Sequence, residues 1–251
     1  MKKNLILTAL LAMSLTAGAQ NYDVNRDGRV NKGDVTDLAN YIMSPMSINP
    51  PKNVVAVDLG LPSGTKWANM NVGATSPEDY GLFFAWGETT GYTSDTSDGH
   101  SFDWESYKWG NGWNYKLTKY CASSSYGTMD NKTTLDPEDD AAHVKWGGSW
   151  YMPTYDEMGE LFNYTNYEWV NVNGVNGCKF TASNGNSIFL PAAGDRYYSS
   201  LRRQGECGYY WLSSLYKVTP TQAREFYFDS GTEAVRNNSR HIGLPVRPVL
   251  R

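Results

Sequence analysis

The stretch "DDAAHVKWGGSWYMPTYDEMGELF", residues 139–162, decides how the chain around it is read. Thr154 is followed three residues on by Glu157, the spacing at which a helix N-cap and its third residue exchange side-chain-to-backbone hydrogen bonds. Met158, Leu161 and Phe162 then share one helical face, so a helix starting here turns that face inward. Just upstream, "PEDDAAHVKW" opens on acidic residues, which the positive end of a helix dipole favours, and predicts a second short helix. Gly147 and Gly148 turn the chain between the two, beside Trp146 and Trp150.

Outward from this pair the chain breaks into short apolar runs between Gly, Asn and Ser: "VVAVDLGLP" from Val54, then "SIFLPAAG", "YYWLSS", "REFYF", "TEAVR" and "LPVRPVL". Two helices among many brief strands predict an α+β domain with long ordered loops over residues 54–251. Residues 89–135, rich in Gly, Ser, Thr, Asp and Trp, read as one long surface excursion. Residues 45–53 carry Pro45, Pro50 and Pro51 and read as a linker. With 251 residues, 40% of them hydrophobic, the chain can bury a sizeable core, which excludes a disordered protein. A formal charge of −4 and the lack of a basic tract argue against a nucleic-acid partner.

The first nineteen residues read as a signal peptide. "MKK" is the basic region, "LILTALLAMSLT" the apolar one, and Ala17-Gly18-Ala19 fits the small-residue cleavage rule, so the mature protein is expected outside the cytoplasm. No later apolar run is long enough to span a membrane. Three cysteines, Cys121, Cys178 and Cys207, allow at most one disulfide and are otherwise small buried residues.

Residues 20–44 carry a different signal. In "DVNRDGRVNKGD", residues 23–34, side-chain oxygens fall at loop positions one (Asp23), three (Asn25), five (Asp27), nine (Asn31) and twelve (Asp34), with Gly28 at six. Arg29, at seven, would offer its backbone carbonyl. This is the spacing of a calcium loop, since the ion takes six to eight oxygens and the sharp turn needs a residue tolerant of positive φ. A plain polar turn is the alternative. Val35, Leu38, Ala39 and Ile42 then form one apolar helical face, ended by Pro45.

Two resemblances follow from these phrases. The calcium loop without an entering helix, ending in Asp and followed by "DVTDLANYIM", resembles one repeat of a type I dockerin. That implies calcium binding and, in paired repeats, a cohesin or other surface protein as partner; a second repeat is missing here. Further on, "VDLGLPSGTKWANMNVGA", "YGLFFAWGET", "DDAAHVKWGGSWYMPTYDEMGEL", "NGNSIFLPAAGDR", "GYYWLSS" and "GLPVRPV", in this order, resemble the Fibrobacter major paralogous domain family over residues 54–251. That family occurs on exported proteins of Bacteroidetes and Fibrobacter, and it implies a C-type-lectin-like fold related to formylglycine-generating enzymes. Tyr151 stands where many members carry Arg. The expected whole is a small EF-hand-like loop and helix ahead of a lectin-like α+β domain.

Signals for catalysis are weak. The cysteines form no paired-thiol motif, and His100, His143 and His241 show no zinc spacing. Asp79, Glu88, Asp103, Glu105 and Glu157 could supply a glycosidase pair, but spacing along the chain does not establish one. "DPEDD" from Asp136 could hold a second calcium, though a helix start, which favours acidic residues, explains it more simply. Arg196 and Arg247 read as holders of buried ion pairs. Trp67, Trp86, Trp146, Trp150 and Trp211 read as core. Trp104, Trp109 and Trp113, in the Gly-rich excursion, read either as a core clamp or as a platform on which a sugar ring stacks. The expected protein is therefore a secreted or cell-surface non-catalytic binding protein contacting glycan or protein, with its calcium segment used for assembly in polysaccharide handling. A structural or adhesion component, with calcium as a stabilising clip, and an unrecognised polysaccharide-active enzyme are the alternatives.

Overall fold

The computed structural model describes residues 50–112 and 116–251. The signal peptide, the calcium loop (Asp23, Asn25, Asp27, Arg29, Asn31, Asp34), the helix behind it and Trp113 lie outside the described residues. In chain order the strands are β1 (Ala56–Val57), β2 (Lys66–Ala68), β3 (Phe83–Phe84), β4 (Trp150–Tyr151), β5 (Thr165–Val172), β6 (Val175–Ala182) and β7 (Ser187–Pro191). They continue with β8 (Asp195–Tyr197), β9 (Ser200–Arg202), β10 (Gly208–Leu215), β11 (Gln222–Phe228), β12 (Glu233–Ser239), β13 (Leu244–Pro245) and β14 (Val249–Leu250). The α-helices among the described residues are α1 (Ala141–Trp146) and α2 (Tyr155–Tyr164).

The domain is thus mainly β, which corrects the α+β, lectin-like expectation for residues 54–251. The physical reason is plain at β5 and β6, which form the longest hairpin. Asn173 and Gly174 both take positive φ, at 51° and 87°, and close it as a two-residue turn between Val172 and Val175. Asn-Gly is the pair best suited to a turn needing two left-handed residues. Eight paired positions follow from that one turn, and β7 adds to the far side of β6.

The remaining sheets are small. β1-β2-β14-β4 form one, so the closing strand lies between elements from the start and middle of the domain. β10-β11-β12 form a second, and β13-β3 and β8-β9 are two-stranded. Two indoles tie the sheets together reciprocally: Trp86 Nε1 donates to the Leu212 carbonyl (2.7 Å) and Trp211 Nε1 to that of Phe84 (2.8 Å). Both rings are fully buried, as is Trp67, and Trp146 and Trp150 join them in the core as expected. Trp86 and Trp211 each bury a large apolar area while the one polar atom of the ring finds a partner, whereas the buried Trp67 Nε1 has none.

The excursion over residues 89–135 carries no named strand, as its composition predicts, but it is more than surface. Phe102, Tyr107, Leu117, Tyr120 and Cys121 within it are buried. All three cysteines are buried free thiols.

Candidate functional site

α2 begins where the capping box places it. Thr154 Oγ1 accepts from the Glu157 amide (3.2 Å), and Glu157 Oε2 accepts from the Thr154 amide (2.8 Å). Arg251 holds the same Glu157 carboxylate from the C-terminus, at 2.7 Å. Ten residues later the helix passes directly into β5, and Thr165 Oγ1 donates to the Leu161 carbonyl (2.6 Å) across the junction. Leu161 and Met158 face the core, which leaves Tyr155 and Tyr164 on the outside.

Between α2, the β5–β6 hairpin and β12 lies an open groove of about 540 Å³. Tyr155, Phe162, Thr165, Tyr167, Phe180 and Val235 line it, with Glu233 at one end. Its floor is aromatic: Phe162 meets Phe226 edge-on at 5.1 Å and Phe180 at 6.1 Å. Its walls are two sheet edges, β5 and β12. Tyr155, Tyr164 and Tyr167, at 46%, 55% and 40% exposure, bring three of the seven exposed large apolar or aromatic side chains among the described residues to this one region. Such clustering, unlike single exposed apolar residues, marks a binding surface.

The groove is polar at its ends. The Glu233 carboxylate faces the Tyr167 hydroxyl and, by hydrogen bonding, raises the phenol's pKa. Antiparallel register puts Glu233 opposite Phe228, Val235 opposite Phe226, and Asn237 opposite Arg224, all on one face of the sheet. Arg224 donates to Asn237 Oδ1 (2.8 Å), and its guanidinium lies 5.0 Å from the Tyr155 ring centre and 4.8 Å from that of Tyr216. Four residues of strand separate Asn237 from Glu233, about 13 Å at the usual rise.

The tryptophans of the excursion take other places. Trp109 donates its Nε1 to the Gly87 carbonyl (2.7 Å), meets Tyr120 edge-on, and has the Lys108 and Lys119 ammonium groups at 4.2 and 5.1 Å from its ring centre. It clamps the excursion to the core. Trp104 is half-buried, edge-on to Tyr107 at 5.5 Å and tilted over His241 at 4.8 Å. Of the two alternatives weighed for Trp104, Trp109 and Trp113, a core clamp or a sugar platform, Trp109 takes the clamp, and Trp104 packs on Tyr107 and His241.

Of the five carboxylates weighed as catalytic, Asp79, Glu88, Asp103 and Glu157 accept from backbone amides. Asp79 accepts from the Thr75 and Gly81 amides, Glu88 from Lys108 N, and Asp103 from the Glu105 and Ser106 amides. Asp136, Glu138 and Asp139 do converge, but the Lys119 ammonium sits among them at 2.6, 3.7 and 2.6 Å. Arg196, fully buried, pairs with Asp98 at 2.6 Å, but Asp98 is exposed, so the ion pair is only half of the buried one expected. Arg247 does not: it donates to Asn71 Oδ1, the Ala68 carbonyl and the Phe189 carbonyl, and burial lowers its pKa to about 10. His100 stacks on Tyr92 and His143 on Tyr151.

The groove residues Tyr155, Tyr167 and Glu233, and Arg224 beside Tyr155, carry no motif. A partial signal lies in "NYTNYEWV", where Tyr167 and Trp169 alternate at strand period, but β12, the strand of the other sheet that forms the opposite wall, lies some seventy residues away. No helix among the described residues is long and apolar enough to cross a membrane. The chain matches no family model, no curated protein and no solved structure.

Proposed function

We propose that this chain is an exported, non-catalytic binding protein whose main domain holds a glycan in the groove between α2 and β12. The observation that carries the reading is the gathering of exposed tyrosines around an aromatic floor with hydrogen-bonding groups at its ends. A flat ring offers an apolar face to the apolar face of a pyranose, and Tyr, Thr, Glu and Asn supply polar contacts to its hydroxyls. Tyr167→Ala is the direct test. Tyr167 is 40% exposed, so its truncation leaves the fold intact. Retention of the protein in gels cast with soluble polysaccharides is expected to drop roughly tenfold, in line with loss of one stacked ring. Unchanged retention on every polysaccharide that holds the parent protein would remove the groove from consideration.

The ordered set of phrases over residues 54–251 supports membership of the Fibrobacter major paralogous domain family, and the leader-like residues 1–19 support export. The spacing of Asp23, Asn25, Asp27, Arg29, Asn31 and Asp34 supports a calcium-dependent segment that recruits a cohesin-like or other surface protein. A lone loop and helix has too little core to fold unaided, so calcium binding supplies its ordering energy. Asp27→Ala is expected to abolish the calcium-induced gain of helical circular dichroism in the full chain. An equal gain in the variant would return residues 23–34 to the status of a polar turn.

A further inference from the structure

The groove is not electrically neutral along its length, and its cationic end is the less expected one. Arg196, Arg202 and Arg251 each meet a carboxylate, Asp98, Asp195 and Glu157 respectively. Arg224 meets none among the described residues. Its guanidinium is nevertheless fixed. One Nη donates to Asn237 Oδ1, and the rings of Tyr155 and Tyr216 lie at 5.0 and 4.8 Å from its central carbon. A guanidinium has five N–H donors in a rigid fork, and only one is used by Asn237. Stacking against aromatic rings holds the plane without consuming the rest. The outcome is an oriented cation with donors to spare, beside a ring that lines the groove, and about 13 Å along β12 from the carboxylate at the other end.

We propose that the groove takes an acidic glycan, a sugar chain bearing carboxylates of the uronate kind. One carboxylate sits on Arg224, the adjoining pyranose faces Tyr155, and further hydroxyls meet Tyr167 and Glu233. This inference rests on the groove being the glycan site. Charge complementarity selects the ligand class: a forked donor pairs with a planar carboxylate at two points, whereas a hydroxyl takes one. The chain's net charge of −4 sharpens the selection. An acidic polymer is repelled by the protein as a whole, so its retention requires a specific cation at the site rather than a general basic surface. Glu233, at the far end, limits how many carboxylates the groove accepts and favours a hydroxyl-bearing stretch there.

The experiment is titration calorimetry of the full chain with an oligogalacturonide and with its carboxyl-reduced counterpart, without added calcium so that the acidic oligomer does not gel. The parent protein is expected to bind the acidic oligomer roughly tenfold or more tightly than the reduced one, the value of a charged hydrogen-bonded pair. Arg224→Gln is expected to bring the two affinities together, and Arg224→Lys, which keeps the charge without the fork, to fall between. Tyr167→Ala is expected to weaken both. Equal binding of the two oligomers, with Arg224→Gln altering neither while Tyr167→Ala weakens both, overturns the acidic-glycan inference and leaves the groove standing. No binding of the acidic oligomer overturns the acidic-glycan inference alone, whereas binding that Tyr167→Ala does not change overturns both.

Discussion

Arg240→Ala is expected to destabilise the protein by about 3–5 kcal/mol and to loosen the excursion over residues 89–135 before anything else. Arg240 is fully buried and has no carboxylate partner among the described residues. Its charge is instead shared among oxygens that the chain brings from far apart. Nε donates to the Tyr107 hydroxyl (2.8 Å), Nη1 to the Tyr120 and Pro220 carbonyls (3.1 Å each), and Nη2 to the Lys119 carbonyl (3.2 Å). The guanidinium also lies over the Trp86 ring at 4.8 Å, and Tyr107 in turn donates to the Trp86 carbonyl at 2.6 Å. Three of the four acceptors belong to the excursion. Truncation would leave them buried without a donor and open a cavity against Trp86, two penalties of the same sign. For a domain of this size that corresponds to a fall in Tm of roughly 10 °C. Hydrogen exchange should rise first at residues 107 and 117–121, while β5–β6–β7 keeps its protection. Arg240→Met separates the two penalties, because it refills volume and supplies no donor. Parent-like stability in the Met variant would mean that packing alone holds the excursion.

That clamp also shows where the sequence could and could not be read. The capping box at Thr154 and Glu157 is local, three residues across, and α2 begins where its spacing places it. The five tryptophans read as core from their place inside the phrases that carry the resemblance, and all five are buried. The Asn173-Gly174 hairpin is equally local, but in a chain where Gly, Asn and Ser separate many short runs the pair reads as a break between strands as readily as the turn that joins two of them. Read as a break, it shifts the balance from mainly β toward α+β. The groove was illegible for a different reason. Tyr155 and Tyr167 come from α2 and β5, Arg224 from β11 and Glu233 from β12, and only tertiary packing brings them together. Arg247 read as half of an ion pair, yet its partners are carbonyls, and an unpaired carbonyl leaves no mark in a sequence.

Glu225→Gln is expected to stabilise the protein above neutral pH by about 3 kcal/mol and to do nothing at pH 4. Glu225 lies at the centre of β11, 3% exposed, with Oε2 accepting from Asn238 Nδ2 at 2.9 Å. Burial, with Asp195 nearby adding to it, pushes its carboxyl up to about 7 despite the opposing pull of Asn238, Arg236 and Arg203. An acid whose pKa is raised on folding contributes stability that is complete below its unfolded value of 4.5 and is lost as pH climbs through 7. Gln mimics the protonated form at every pH, so the difference between variant and parent should open between pH 4.5 and 7 and then stay level. The parent's own profile conceals this. His241, 6% exposed, is held neutral by burial down to about 4, so the protein loses stability as pH falls from 6.5 toward 4. The two slopes are opposite in sign over the same window and partly cancel. Glu225→Gln should therefore unmask a rise in stability with pH across that window. Chemical denaturation of both proteins at pH 4, 5.5, 7 and 8.5 would read it. A difference that is constant across the series would mean that the Glu225 carboxyl titrates in the fold as it does in the unfolded chain, so that burial does not raise it.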